Sequence, residues 1–270
     1  MNSKIILALA PVGGWGKGKN NPLTPEEIAK EVIQCTEAGA SLVHLHARDE
    51  NGQLTTDISY FSHTTKLIRE KSSIIIEAST GGLSLLTSQE RALPLQNQHA
   101  ENGSLNMGSL NLMDQVYVNL VPDIKFWIQE MNKYKIKPCM EIFDTSHIRI
   151  AHLAIQEKLI HPPYQFNFVF DYQWSMAFSL PLLQVLVDML PKNSQWGVVF
   201  GNNQDFKNHL KSILLGATMV RVGFEDSTIC NDHKASTNLA LVEEIRKEIE
   251  SLGYHLASPD EARKILYFSG

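Results

Sequence analysis

The chain has 270 residues, of which 43% are hydrophobic and 20% are charged. This balance is ordinary for a soluble globular protein and excludes a disordered chain. The net charge of -5 does not indicate a nucleic-acid partner. No apolar run reaches about 18 residues, so we expect no membrane-spanning helix. The three cysteines are odd in number and far apart, which predicts no disulfide framework and a reducing, cytoplasmic location.

Short apolar runs rich in Ile and Val alternate with longer amphipathic segments. Near-continuous apolar runs are typical of strands buried on both faces of a parallel sheet. The first run is too short for the apolar core of a signal peptide, so we expect a strand there. The pattern predicts eight strands, near 4–10, 41–46, 73–78, 115–119, 137–142, 166–170, 195–200 and 218–222.

A helix-start signal lies at Thr24-Pro25-Glu26-Glu27, where Thr24 can cap the helix and Glu27 can close a capping box. Gly39 is expected to end this helix. A second start signal lies at 258–261, and further helices are predicted near 57–71, 122–134, 145–158, 180–190, 204–215 and 236–251. The stretch 84–113 is long for a loop and is expected to carry a helix of its own.

Eight strands that alternate with helices, without a Pro/Gly/Ser-rich linker, predict an α/β fold of the (β/α)8 TIM barrel type. We expect this barrel to form one domain over residues 1–270. An open, doubly wound sheet is the alternative.

Two histidines stand at the end of the second predicted strand, in Val43-His44-Leu45-His46-Ala47-Arg48-Asp49. Because side chains alternate along a strand, His44 and His46 point the same way, into the barrel at the end where barrel enzymes hold their active sites. Two neutral imidazoles side by side make half of a zinc site. The alternative is two buried histidines that each bond a backbone carbonyl.

A third ligand is expected from Arg221-Val222-Gly223-Phe224-Glu225-Asp226, which follows the eighth predicted strand. A glutamate here would complete a set of two histidines and one carboxylate with open positions, which is typical of catalytic zinc. An Arg221–Asp226 ion pair that only steadies the loop is the alternative.

Other polar segments also lie near the ends of predicted strands. Glu77-Ala78-Ser79-Thr80-Gly81-Gly82 follows the third strand, where its glycines would let a ligand approach the backbone, although a plain turn has the same signature. Glu141-Ile142-Phe143-Asp144 ends the fifth strand and offers Glu141 as an inward carboxylate or as a support for other site residues. Residues 104–109 are expected to precede the fourth strand and to supply small polar groups.

The segment 13–20 nearly matches the phosphate loop G-x-x-x-x-G-K-[ST]. Asn20 replaces the hydroxyl that should bind magnesium, and the helix is predicted to begin only at Thr24-Pro25. We therefore expect a Gly/Lys loop over the barrel mouth and no nucleotide site.

Together these motifs resemble those of the β-keto acid cleavage enzymes, a family that includes 3-keto-5-aminohexanoate cleavage enzyme. The resemblance runs from TPEEIAKE…AGASLVHLHARD through STGG, SLNMGS, EIFDT and VRVGFEDS to NLALVEEIRKEIESLG…SPDEARKIL. HxHxRD together with RxGxED is quite specific for this family. The resemblance implies a (β/α)8 barrel, one zinc ion and a homotetramer, although such ligands also accept other divalent ions.

The resemblance implies that the zinc ligands are His44, His46 and Glu225. It also implies catalytic roles for Asp226 and Arg221. Ser79 would assist them, and Glu141 would be a further active-site carboxylate. The family's small hydroxyl residue near the substrate falls on Ser104, and we expect it to line the substrate site together with Thr80, Gly81, Gly82 and Asn106.

The implied reaction is an exchange in which a β-keto acid and acetyl-CoA give a new acyl-CoA and acetoacetate. Zinc would chelate the β-keto oxygen and the carboxylate together and acidify the carbon between them. Asp226, oriented by Arg221 and Ser79, is the candidate base. The enolate would add to the thioester, CoA would move to the former ketone carbon, and a retro-Claisen step would release acetoacetate without a redox cofactor.

Three loops depart from the family pattern. Phe170-Asp171-Tyr172-Gln173-Trp174-Ser175 replaces a Gly-rich turn, and Phe200-Gly201-Asn202-Asn203 replaces a Gly/Arg loop. In Pro11-Val12-Gly13-Gly14-Trp15, no acidic residue is present to read the amino group of 3-keto-5-aminohexanoate, so we expect another β-keto acid. Two alternatives stay open: a metal-dependent aldolase or β-diketone hydrolase that needs no CoA, and a non-catalytic ligand-binding barrel.

Overall fold

Eight parallel strands form a closed barrel in the computed structural model, which describes residues 4–13, 20–81 and 86–267. Each strand pairs with the next in chain order, and the last pairs with the first from Ile6–Met219 to Leu9–Val222. The barrel strands are β1 (Lys4–Leu9), β2 (Leu42–Leu45), β3 (Ile75–Ala78), β4 (Ala100–Asn106), β5 (Lys137–Ile142), β6 (Tyr164–Phe170), β7 (Ser194–Phe200) and β8 (Met219–Val222). The predicted (β/α)8 barrel is confirmed, and the open sheet is wrong because the first and last strands are hydrogen-bonded to each other.

Helices pack around the outside of this barrel, and the helices predicted from 57 onwards begin and end within two residues of their predicted limits. None of the described helices is long and apolar enough to cross a membrane. The helices are α1 (Pro25–Glu37), α2 (Ile58–Arg69), α3 (Ser88–Ala92), α4 (Val121–Tyr134), α5 (Thr145–Gln156), α6 (Leu180–Asp188), α7 (Phe206–Leu214), α8 (Asn238–Ser251) and α9 (Pro259–Tyr267).

The start of α1 is formed by the predicted capping box. The hydroxyl of Thr24 accepts a hydrogen bond from the backbone N–H of Glu27, and the Glu27 carboxylate accepts one from the backbone N–H of Thr24 at 3.1 Å. Gly39 follows the helix with a φ of 120°. The sequence therefore determines where this helix begins and how the chain leaves it.

The fourth barrel strand lies earlier in the chain than predicted. Residues Gln115–Tyr117, predicted to form this strand, pair antiparallel with Leu110–Leu112 in a small hairpin outside the barrel. The true β4 reads AENGSLN and lacks the apolar run on which the prediction depended. Ser104 and Asn106 therefore belong to a barrel strand and do not precede one. The helix expected within 84–113 is α3.

Inward-facing side chains change from apolar to polar along four of the strands. Because strand side chains alternate with a period of two, residues two positions apart share a face. The apolar members pack in one buried cluster with Ala262 and Leu266 of α9, which closes the amino-terminal end of the barrel. The polar members two positions later face the carboxyl-terminal end; the four pairs are Leu42/His44, Ile75/Glu77, Cys139/Glu141 and Met219/Arg221.

Gly223 allows the chain to leave β8 close to the end of β1, and its replacement tests this contact. Its φ is 149°, and a Cβ there would collide with the carbonyl oxygen of Ala10. Gly223→Ala should lower the free energy of unfolding by more than about 3 kcal/mol, because a clash adds to a backbone strain of about 1–3 kcal/mol. Gly253→Ala is the control, because Gly253 has a φ of 81° and a Cβ there would have no described atom within 4 Å. Urea unfolding measures both variants. If Gly223→Ala and Gly253→Ala lose the same free energy of unfolding, the close approach of Gly223 to Ala10 does not matter for stability.

Candidate metal centre and active site

The three side chains predicted to bind a metal lie together at the carboxyl-terminal end of the barrel. His44 Nε2 lies 3.5 Å from Glu225 Oε1, and His46 Nε2 lies 3.5 Å from Glu225 Oε2. The two imidazole centroids are 5.2 Å apart, and one ligand atom from each residue lies within 4.8 Å of the other two. A single divalent ion could contact all three side chains.

Two further features fit a cation at this point. Glu225 Oε2 is buried and receives no hydrogen bond from the described residues, as expected for an oxygen that serves a metal. At the other ring nitrogen of His44, Nδ1 lies 2.9 Å from Glu77 Oε1. A carboxylate that accepts from the second ring nitrogen fixes the imidazole tautomer and leaves Nε2 free to bind a metal.

Space for the Glu225 side chain comes from Gly13, in the loop that follows the first strand. A Cβ at Gly13 would lie 2.5 Å from Glu225 Cγ. The backbone carbonyl of Gly13 accepts a hydrogen bond from Arg48, which also donates to the carbonyl of Gly52 at 2.6 Å. The Arg of the HxHxRD motif therefore holds the loop that makes room for the candidate ligand.

Charge is concentrated around Glu225. Burial alone would lower the pKa of His44, but the carboxylates of Glu225 and Glu77 outweigh it and raise that pKa to about 9. Burial would raise the pKa of Glu225, but His44, His46 and Arg221 together hold it far below its ordinary value. Glu225 is therefore ionised, and a metal ion would take the place of the proton that His44 otherwise holds.

Arg221 joins the metal-binding group to a second carboxylate. Its Nε and Nη2 donate to the two oxygens of Asp226 at 3.0 and 2.5 Å, a bidentate geometry that fixes both side chains. Its Nη1 donates to Glu141 at 3.3 Å, and its Nη2 lies 3.5 Å from Glu225. The hydroxyl of Tyr172 donates to Asp226 at 2.6 Å.

Asp226 and Glu141 lie in surroundings that favour proton transfer. Burial raises the pKa of Asp226, while its hydrogen bonds from Arg221 and Tyr172 favour the ionised form. Burial also raises the pKa of Glu141 to about 7, with Arg221 acting in the opposite direction. Carboxylates with raised pKa values beside a candidate metal position are suited to general acid–base chemistry.

Ser79 lies beside the metal-binding group, but no hydrogen bond among the described residues joins it to Asp226 or Arg221. Its hydroxyl accepts from the backbone N–H of Gly81 at 3.0 Å. A Cβ at Gly81 would lie 3.7 Å from His46 Cε1. Ser79 and Gly81 therefore form the wall next to His46, and the predicted assistance of Asp226 by Ser79 stays a prediction.

The remaining predicted substrate residues differ in their contacts. Thr80 and Ser104 bond each other, because the Thr80 hydroxyl donates to the Ser104 carbonyl at 2.6 Å and the Ser104 hydroxyl accepts from the Thr80 N–H at 3.3 Å. Asn106 Oδ1 is buried and has no hydrogen-bond partner among the described residues. Asn106 is therefore more available to bind a ligand than Thr80 or Ser104. Gly82 and residues 14–19 of the near-phosphate loop lie outside the described residues.

The sequence assigned no role to Glu77 and Tyr172. A carboxylate inside the apolar strand 73–78 was a signal for Glu77, which pairs in register with His44 on the neighbouring strand. No sequence signal pointed to Tyr172. Its ring packs beside Gly201, where a Cβ would lie 2.6 Å from a ring carbon. The two loops that depart from the family pattern thus fit each other next to Asp226.

The chain matches a family of known proteins along almost its whole length. Residues 4–268 match the family described as beta-keto acid cleavage enzyme, and the chain belongs to that family. It is 35% identical to 3-keto-5-aminohexanoate cleavage enzyme of Fusobacterium nucleatum, over 98% of each chain. It is 30% identical to 3-oxoadipate:acetyl-CoA acetyltransferase of Cupriavidus necator, over 98% of this chain and 95% of the relative.

Solved structures resemble the protein in fold. The apo structure of ObcA superposes with a TM-score of 0.79 at 16% identity, over 93% of this chain. This chain covers 66% of the length of the ObcA chain. At that identity the likeness supports the barrel fold alone.

Removing the charge of Glu77 tests whether it orients His44. Glu77→Gln is expected to weaken Zn²⁺ binding about 10- to 100-fold, because the amide is a poorer acceptor for the His44 Nδ1–H. Competition with a chromophoric chelator would measure the affinity. Glu157→Gln is the control, since Glu157 forms an exposed ion pair with Lys125. An unchanged affinity in Glu77→Gln would show that the 2.9 Å contact does not support metal binding.

Proposed function

We propose that the protein catalyses exchange between a β-keto acid and acetyl-CoA, giving a new acyl-CoA and acetoacetate. The observation that carries the proposal is that Arg221 forms ion pairs with both the candidate ligand Glu225 and the candidate base Asp226. Membership of the β-keto acid cleavage enzyme family supports the substrate class. The acetyl-CoA named in the relative from Cupriavidus necator supports the co-substrate.

His44, His46 and Glu225 would hold the metal. Two imidazoles and one carboxylate suit Zn²⁺ and leave coordination positions for substrate, although this donor set also accepts other divalent ions. When bound, the ion would polarise the keto oxygen and make the neighbouring carbon more acidic.

Asp226 would act as the base that removes a proton from the carbon between the keto and carboxylate groups. Its two oxygens are fixed by Arg221 and Tyr172, and an ionised carboxylate has lone pairs left to accept the proton. The side chain is buried, so bulk water does not compete for it. Holding the base in place before the substrate arrives lowers the entropic cost of proton transfer.

The exchange balances in bonds and protons. The enolate carbon forms a bond to the thioester carbonyl of acetyl-CoA, and the CoA sulfur then moves to the former ketone carbon. Cleavage of the bond between that carbon and the enolate carbon releases the new acyl-CoA and the enolate of acetoacetate. Asp226 returns the proton it removed, which leaves the enzyme in its starting form.

Asn106 is the candidate contact for the substrate, because its buried oxygen is unsatisfied within the described residues. Ser104 is committed to Thr80 through two hydrogen bonds, so its expected substrate role would require a rearrangement. The expectation that the substrate is not 3-keto-5-aminohexanoate stays a prediction, since Gly14 and Trp15 lie outside the described residues.

Labelled acetyl-CoA distinguishes the proposed function from its two alternatives. The zinc-loaded protein is incubated with a panel of β-keto acids, including 3-keto-5-aminohexanoate, with and without carbon-labelled acetyl-CoA. We expect labelled acetoacetate to form only when acetyl-CoA is present. Cleavage without CoA would favour the aldolase or hydrolase. Binding without any turnover would favour the non-catalytic barrel.

Replacing the candidate base should separate chemistry from metal binding. Asp226→Asn is expected to reduce kcat about 10²- to 10⁴-fold while the zinc content stays at the wild-type level, because a neutral amide cannot accept the proton. Asp188→Asn, at the exposed end of α6, is the matched control. Wild-type turnover in Asp226→Asn, measured by acyl-CoA formation, would exclude Asp226 as the base.

The quaternary structure and the compartment also stay predictions. We infer a homotetramer from the family resemblance, and a cytoplasmic location from three free, buried cysteines. Sedimentation equilibrium of the purified protein should give four times the mass of the chain. A monomer at micromolar concentration would contradict the tetramer.

A further inference from the structure

A second group of metal-ligating side chains lies between β8 and α8, apart from the candidate active site. Two short strands, Ile229–Cys230 and His233–Lys234, form a hairpin in which Cys230 pairs directly with His233. Helix α8 brings Glu244 against them. Cys230 is buried, Glu244 is partly exposed and His233 is exposed, so the group is reachable from solvent.

The distances within this group match a tetrahedral zinc site. Cys230 Sγ lies 3.5 Å from His233 Nε2 and 3.7 Å from Glu244 Oε2, and these last two atoms are 3.4 Å apart. Tetrahedral bonds of about 2.3 Å to sulfur and about 2.1 Å to nitrogen and oxygen would separate the same pairs by about 3.6, 3.6 and 3.4 Å. All three separations agree with the ideal values to about 0.1 Å.

The backbone and a neighbouring side chain hold this arrangement. The turn residues Asn231 and Asp232 have φ values of 45° and 65°, the left-handed pair that a tight two-residue hairpin requires. The turn therefore places Cys230 and His233 side by side. Asn231 also donates to Glu244 Oε1 at 3.1 Å, which leaves Oε2 directed at the sulfur and the imidazole, as for a ligand oriented by its neighbour.

We propose that Cys230, His233 and Glu244 bind a zinc ion whose fourth position is open to water. A thiolate, an imidazole and a carboxylate together favour Zn²⁺ over Mg²⁺ or Ca²⁺, which prefer oxygen ligands alone. Binding displaces the thiol proton of Cys230 into solvent and converts a hydrogen-bonded group into a coordinated one.

The proposed zinc ion would restrict the motion of the segment that carries Glu225 and Asp226. Gln204 donates to the carbonyls of Gly223 and Ser227 at 2.9 and 2.5 Å, and its backbone N–H donates to the carbonyl of Ile229 at 2.9 Å. The chain on both sides of Glu225 and Asp226 is thereby tied to the hairpin. A zinc ion that links the hairpin to α8 would restrict the whole segment without touching the substrate.

Cobalt binding tests the site independently of activity. The metal-free, full-length protein is titrated with Co²⁺, and the near-ultraviolet thiolate-to-cobalt charge-transfer band is recorded. The group of His44, His46 and Glu225 contains no sulfur, so of the two proposed metal sites only the one at Cys230 can give this band. We expect the band in the wild type and in the His44→Ala/His46→Ala double variant, which separates this proposal from the proposed function.

Three variants identify the ligands. Cys230→Ala should abolish the band, and Cys35→Ala, which removes another buried cysteine, should retain it. His233→Ala should weaken cobalt binding more than about 100-fold without unfolding the protein, because the His233 side chain is 55% exposed. Circular dichroism checks the fold of each variant. A wild-type protein without the band, or a band that survives Cys230→Ala, would overturn the proposal.

Discussion

The candidate active site depends on the electrostatic balance around one largely buried carboxylate, Glu225, whose side chain is 13% exposed. Its negative charge stands between two imidazoles and a guanidinium, and a buried charge without such partners would be strongly unfavourable. The same charge raises the pKa of His44 and, together with Asp226 and Glu141, it also raises the pKa of Arg221. A divalent cation would satisfy the buried Glu225 Oε2, which receives no hydrogen bond from the described residues.

The candidate metal ligand Glu225 and the candidate base Asp226 are carried by the same short segment after β8. Glu225 and Asp226 are neighbours in the chain, yet Glu225 turns toward His44 and His46 while Asp226 turns toward Tyr172. Gly223, which allows the chain to pass close to Ala10, sets the path from which both side chains emerge. The chemistry proposed for the protein therefore depends on the backbone at the closure of the barrel as well as on the side chains.

The sequence predicted the parts of the fold and site that depend on local periodicity. The two-residue alternation placed His44 and His46 on one side, and the apolar runs located seven of the eight barrel strands. The strand AENGSLN was missed because polar and small residues inside a barrel remove the apolar signal. Contacts that come from separate loops, such as Tyr172 with Asp226, depend on tertiary packing and have no local pattern. Sequence reasoning did not single out Cys230 and His233, which stand three residues apart, and the contribution of Glu244 depends on the position of α8.

Helix α9, at the amino-terminal end of the barrel, restricts how substrates and products can reach and leave the proposed active site. The backbone carbonyl of Leu266 in α9 accepts a hydrogen bond from the Gln165 side chain, and the Tyr267 hydroxyl donates one to Asn102 Oδ1, which closes that end. Molecules that reach Arg221 must enter and depart by way of the opposite mouth. Acetoacetate would therefore leave through the same opening by which the next β-keto acid enters, so one substrate can bind only after the previous product has left.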